Sequence, residues 1–285
     1  MKRIGLIIPT YNAGSEFEEV LSLINNQDEV LYRKLIIDSE SKDFTISIAI
    51  EKGFEVRGIK LSEFGHGKTR TFAAEILNDC DYIVYMTQDV FLQQNALMSL
   101  VKFIKSNKNL GVVYGKQEVD ISKSNIFEKK AREFNYPEKS MVKTYDDKGK
   151  LGIKTIFSSD AFAVYDRLKI EKVGFFPDVR FSEDMYVAAL LVKAGYSVGY
   201  CAEAKVFHSH AYSIIDEYKR YQLIGKFHKE HPWLQQEFGS NESEGMRSMC
   251  YEWRYLIDEK QAYLIPSSFL RFGMKYLGYK KGNRN

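Results

Sequence analysis

Short runs of aliphatic and β-branched residues alternate along this chain with longer stretches whose apolar positions recur every three or four residues. Residues 3–8 (RIGLII) form a near-continuous apolar run that predicts a buried strand. After a polar turn, Phe17, Val20, Leu21 and Ile24 share one face of a predicted helix. The alternation continues with strands expected over 34–38, 54–59, 82–86 and 111–114. Helices are expected between them, over 44–52, 69–78 and 95–106. Strands alternating with helices predict an α/β fold with a mainly parallel sheet covered by helices on both faces.

The pattern loosens near Ser122. Residues 139–154 are charged and lack apolar periodicity, which predicts a mobile loop. A helix holding 186–191 is stopped at Gly195, and short strands are expected over 197–201 and 205–208. From Ser213 onward only helix signals remain. Two domains are therefore expected: 1–212, carrying the sheet, and a helical region over 213–285.

Composition narrows the function. A formal net charge of +3 is too small to imply a nucleic-acid partner. Cys80, Cys201 and Cys250 are widely spaced, with no Cys-x-x-Cys, so a reducing cytoplasm fits better than a disulfide framework. The opening MKRIGLIIPTYN is cut short by Pro9 and reads as a strand rather than a signal peptide. No stretch approaches the roughly 20 apolar residues that cross a bilayer. A soluble or membrane-peripheral protein is expected.

The candidate chemistry sits at the predicted strand ends, where parallel sheets bind ligands. The first strand ends in Pro9-Thr10-Tyr11-Asn12 and the second in Asp38-Ser39-Glu40-Ser41-Lys42-Asp43. The third leads into SEFGHGKTR, residues 62–70, and the fourth ends in Thr87-Gln88-Asp89. Each acid, alone, has a turn or helix-capping reading; four polar ends converging on one crevice favour a binding site. SEFGHGKTR imitates a nucleoside-triphosphate loop in its Gly-Lys-Thr ending. However, Ser62 stands where that motif needs its first glycine, so the phosphate cradle is incomplete.

IIPTYN, IDSESKD, GHGKTR before a helix, TQD after an apolar strand, and FSEDM together resemble the inverting glycosyltransferases of family 2, whose fold is GT-A. The resemblance spans roughly residues 1–215. TQD and the later HSHAYS, residues 208–213, resemble bacterial rhamnosyltransferases that use dTDP-L-rhamnose, as does the helical segment 218–231 (YKRYQLIGKFHKEH).

The resemblance implies a set of roles. Asp184 of FSEDM is the expected base that takes the acceptor hydroxyl proton, with Glu183 the second choice. Their alternative reading is a helix start capped by Ser182, which would keep Asp184 ionised and a weak base. Thr10, Tyr11, Asn12 and Asp38 are expected around the nucleotide, Asp38 accepting from the ring N–H, with Gln88 and Asp89 beside the diphosphate. Gly65 and Gly67 are expected to admit the donor closely, and Lys68 and Arg70 to contact its diphosphate or sugar, unless they form a solvated basic helix end. A Mg2+ or Mn2+ ion is expected on Asp89 and His210, weakly held because Thr87 replaces an acid common in the family. His208 alternates with His210 along the chain. Tyr212 and Ser213 are expected to close over the donor, and Ser158, Ser159 and Asp160 to line the acceptor side.

The expected acceptor is a polyprenyl-diphosphate-linked saccharide of a bacterial surface polysaccharide, which sets the reaction at the inner face of the cell membrane. The tail over 268–285 carries Arg271, Lys275, Lys280, Lys281 and Arg284 without an acid, and Phe269, Phe272 and Tyr276 at helical spacing. Such a segment suits an anionic membrane surface, or a helix packing its aromatics on the main domain. Three other readings stay open: a UDP-sugar donor, a kinase-like nucleotide enzyme, and a non-catalytic scaffold.

Overall fold

The computed structural model describes residues 2–210 and 212–284. Ala211 of HSHAYS and Asn285 of the tail lie outside the described residues. The chain forms two compact units. The first comprises Met1–Gln117, Glu138–Tyr145 and Ile156–His208; the second comprises Glu118–Pro137, Asp146–Thr155 and Ser209–Asn285.

The first unit is built on a nine-stranded sheet. Its strands are β1 (Ile4–Thr10), β2 (Arg33–Asp38), β3 (Glu55–Gly58), β4 (Tyr82–Met86), β5 (Phe91–Leu92), β6 (Leu110–Glu118), β7 (Met141–Lys143), β8 (Phe162–Asp166) and β9 (Ser197–Phe207). They run in the order β3-β2-β1-β4-β8-β6-β9-β5, with β7 also on β9. β3, β2, β1 and β4 pair in parallel, whereas β8 pairs antiparallel to both β4 and β6. The chain leaves β1 toward β2 and β3, then returns to set β4 on the other side of β1. This reversal opens a crevice beyond the carboxyl ends of β1 and β4, where open α/β sheets bind ligands.

The central strands are buried on both faces, and their alternate residues on one side meet a 3.6-residue stripe on a helix. Leu6 and Ile8 of β1, Val84 and Met86 of β4, and Val164 of β8 are buried against Phe17, Val20, Leu21 and Ile24 of the helix Phe17–Asn25.

Three local expectations change. Residues 139–154 contain β7, whose Met141 and Lys143 register with Tyr200 and Val198 of β9. Lys143 is buried, its Nζ donating to the Phe157 carbonyl at 2.6 Å and standing 4.9 Å from the Tyr114 ring centroid. A long aliphatic stem with a partnered cation can be buried, so charge density there did not mean mobility. The segments 197–201 and 205–208 merge into one strand, because exposed Glu203 keeps the period-2 alternation rather than breaking it. The third change concerns the loop before the helix His66–Ile76. That helix starts three residues earlier than its apolar pattern predicts. A Cβ on Gly67 would lie 1.9 Å from the Pro177 carbonyl oxygen, so Gly67 is required for packing. The sequence reading had Gly67 admit a donor closely; the close approach seen at its α-carbon is that of Pro177.

The second unit is helical. Its helices Ile214–Glu230 and Ile265–Arg284 meet through glycines. Added Cβ atoms at Gly225, Gly278 and Gly282 would meet the carbonyl oxygens of Tyr279, Tyr218 and Gln222 at 2.1, 2.3 and 1.9 Å. Phe269, Leu270, Tyr276 and Leu277 stay exposed. Small residues and buried Tyr279, whose hydroxyl lies 3.2 Å from His228 Nδ1, therefore make the contact, while Phe269 and Tyr276 face away from it.

Candidate active site

The crevice walls are joined at the switch point. Gln88 beyond β4 accepts from the Tyr11 N–H at 2.9 Å and donates to the Tyr11 carbonyl at 3.2 Å. Asn12 takes a left-handed φ of 45° and is held on both sides. Its N–H donates to Ser41 Oγ at 2.8 Å and its Oδ1 accepts from the Lys42 N–H at 2.8 Å. Asp38 is buried and accepts from Thr10 Oγ1 at 3.1 Å, the Ser41 N–H at 2.9 Å and Ser41 Oγ. It thus ties the ends of β1 and β2 together, while the half-exposed Tyr11 ring is available to a planar ligand. Asp43 takes the capping reading, accepting from the N–H and hydroxyl of Thr45.

Behind this rim lies a buried charge cluster. Arg70, on the helix His66–Ile76, contacts Asp160 Oδ2 through Nε at 3.1 Å and Glu183 Oε1 through Nη1 at 2.8 Å. All three are buried, and Tyr165 donates its hydroxyl to Asp160 Oδ1 at 2.6 Å. The sequence reading set Arg70 on the donor diphosphate or sugar and Glu183 as second choice for the base; here Arg70 is enclosed by two carboxylates and Glu183 is one of its counter-ions. Lys68, two residues earlier, is exposed. Asp160, expected on the acceptor side, is instead part of the Arg70 anchor.

Asp184 is the second residue of the helix Glu183–Lys193, beside that cluster, and is partly buried. Its carboxyl is pushed up to about 8, first by burial and then by the charges of Glu183 and Asp160, although the Met185 N–H donates to Oδ1 at 2.7 Å. The helix-start reading would keep this carboxyl ionised, whereas its burial and the two neighbouring charges favour the protonated form. Ser182 makes no side-chain cap either; it turns through a left-handed φ of 61°. A carboxyl whose pKa lies near working pH is suited to taking a proton from an alcohol in a transition state.

Beyond β9, His208 is buried and brings Nε2 within 3.5 Å of Asp89 Oδ2. Its Nδ1 lies 2.9 Å from Gln117 Oε1, and Gln117 Nε2 donates to Ser159 Oγ at 2.7 Å. An imidazole and a carboxylate oriented this way offer one nitrogen and one oxygen ligand to a divalent cation. The sequence reading placed the ion on Asp89 and His210 and gave His208 no role; within the first unit His208 also stands beside Asp89. The alternation of His208 and His210 was its one sequence signal. Gln117, 91 residues away from His208, left none.

In the second unit, His210, Tyr212 and Ser213 are each held by hydrogen bonds. The His210 N–H donates to Glu128 Oε1 at 2.7 Å, and its ring lies 5.1 Å from that of Tyr212. Ser213 caps the helix Ile214–Glu230 in a reciprocal box with Asp216. Arg271 donates to the Tyr212 carbonyl at 3.3 Å and pairs with Glu217 at 3.2 Å, as Lys275 does at 3.4 Å. Two of the tail's cations are thus engaged inside this unit.

Residues 6–174 match the family model described as Glycosyl transferase family 2. The chain is 40% identical over 282 residues to the O-antigen chain rhamnosyltransferase RfbN of Salmonella typhimurium, covering 98% of this chain and 89% of that one. It is 38% identical over 285 residues to the O-antigen chain rhamnosyltransferase WbaN of Salmonella anatum, covering 99% and 90%. Among solved structures it resembles the mannosyltransferase PcManGT of Pyrobaculum calidifontis, in complex with GDP-Man and Mn2+. That likeness has a TM-score of 0.68 at 16% identity, covers 99% of this chain and 87% of the other, and concerns the GT-A fold alone.

Proposed function

Since this chain belongs to glycosyltransferase family 2, we propose that it moves L-rhamnose from dTDP-L-rhamnose, with inversion, to a hydroxyl of a polyprenyl-diphosphate-linked saccharide in surface polysaccharide synthesis. The observation that carries this reading is the likeness over nearly the whole chain to two O-antigen chain rhamnosyltransferases. In the proposed reaction the acceptor oxygen attacks the anomeric carbon while Asp184 takes its proton. The carbon–oxygen bond to the diphosphate breaks on the opposite side, and the diphosphate leaves with both electrons. Thr10, Tyr11, Asn12, Asp38 and Gln88 hold the nucleotide end in line, and Lys68 adds positive charge at the mouth of the crevice.

Asp89 and His208 fit a Mg2+ or Mn2+ ion, and the similar mannosyltransferase was solved with Mn2+. Such an ion supplies charge that offsets the departing diphosphate. His210 follows two residues later along the chain, and His210→Ala would read its share in donor binding.

The kinase-like reading loses its remaining support in the packing of Gly67 on Pro177, which leaves no phosphate cradle. A lipid-linked acceptor also favours attachment to an anionic bilayer. Phe269, Leu270, Tyr276 and Leu277 on the tail helix, with exposed Lys281 nearby, suit the headgroup layer. No described helix is long and apolar enough to cross a membrane.

Thermal shift against dTDP-L-rhamnose, UDP-glucose and GDP-mannose tests the donor, since a ligand of the folded state raises stability by mass action. The largest shift is expected with dTDP-L-rhamnose. An equal or larger shift with the UDP-sugar would replace the donor and leave the transfer chemistry standing. Binding without turnover of any acceptor would favour a scaffold.

A further inference from the structure

The geometry points to Gln117 as a positioning residue that turns the His208 imidazole so that its Nε2 faces Asp89 and a divalent cation. This rests on the cation reading above. Gln117 is buried at the end of β6 and spans two partners with its two amide atoms. Nε2 donates to Ser159 Oγ at 2.7 Å, which turns Oε1 toward His208 Nδ1 at 2.9 Å. A carbonyl oxygen can only accept, so Nδ1 carries the hydrogen, and in the neutral ring Nε2 carries the lone pair. That lone pair points to Asp89 Oδ2 at 3.5 Å. Two electron-rich atoms facing each other repel unless a proton or a cation lies between them, and the Gln117 contact selects the tautomer that leaves room for a cation. Outer partners of this kind orient a ligating histidine and raise its basicity, and removing them costs about 10–100-fold in metal affinity.

The test is Mn2+ titration of the full chain with dTDP present, read by electron paramagnetic resonance and by the nitrogen coupling of the bound ion. Gln117→Leu keeps the volume and removes the oxygen. It is expected to weaken Mn2+ by about 10–100-fold and to reduce the nitrogen coupling. Gln117→Glu offers an acceptor to Nδ1 and is expected to bind Mn2+ within a few-fold of wild type, a rescue that a merely structural role would not produce. His208→Ala and Asp89→Ala are expected to lose the ion. Wild-type Mn2+ binding in Gln117→Leu, with His208→Ala weakened, overturns the positioning role and leaves the cation site standing. Unchanged binding in both His208→Ala and Asp89→Ala removes the cation site, and the inference with it. If Gln117→Leu does not fold, Ser159→Ala reads the same chain from its other end: several-fold weaker Mn2+ supports the role, and no change overturns it.

Discussion

Arg70 Nη1 lies 2.8 Å from Glu183 Oε1 in the interior, and Asp184, the next residue, is the carboxyl we propose as the base. The neighbours therefore have opposite assignments. Glu183 is committed to a cation contributed by a helix more than a hundred residues away, and its charge is one reason Asp184 keeps a proton.

Arg70→Met is expected to leave Asp160 and Glu183 as buried acids without a cation. Breaking a buried pair in this way costs about 3–5 kcal/mol. Urea unfolding measures it, and a loss under 1 kcal/mol would show that the cluster is solvated in solution.

Asp184→Asn is expected to lower transfer by on the order of 10²-fold or more while thermal shift still detects the donor. For the wild type, kcat/KM should rise with pH up to about 8, as this carboxyl loses its proton. A flat profile, or near wild-type turnover in the folded variant, would return Asp184 to a helix-start role.

The same carboxyl has a stability signature of definite sign. Below about pH 4 it is protonated in folded and unfolded chains alike. Between there and pH 8 the unfolded chain releases a proton that the folded one keeps, so its contribution to stability falls as pH rises. Melting curves of Asp184→Asn should accordingly decline less from pH 5 to pH 8 than those of the wild type. Parallel declines would mean that the carboxyl is ionised throughout.

Removing 268–285 is expected to unfold the helical unit, because Gly278 and Gly282 hold the tail helix against Ile214–Glu230. Gly282→Ala alone would set a Cβ 1.9 Å from the Gln222 carbonyl oxygen and should lower the melting temperature by several degrees. Attachment to membranes is better read with Phe269→Ser and Leu277→Ser together. These exposed sites should release the protein from anionic vesicles without lowering its melting temperature. Unchanged vesicle binding would reject the surface.

The place of the candidate site was legible because it rests on local rules. Open α/β sheets bind ligands beyond the carboxyl ends of their strands, so Thr10, Tyr11, Asn12, Asp38, Gln88 and Asp89 could be singled out as candidates from apolar runs followed by polar turns. The helix stripe of Phe17, Val20, Leu21 and Ile24 is likewise a matter of 3.6-residue spacing, and all four are buried.

What the tertiary structure decided are properties that no window of sequence contains. Arg70 reads as a basic residue at a helix start, yet it faces inward because Asp160 and Glu183, distant in the chain, neutralise it there. Gly67 looks like half of a phosphate loop until Pro177 is found against its α-carbon. Lys143 sits in a charged stretch, and its burial depends on the Phe157 carbonyl and the Tyr114 ring. The reason is common to all three. Residue type and spacing are carried by the chain itself, whereas desolvation and charge pairing depend on which distant groups share a volume, and that is set only when the sheet has closed around them.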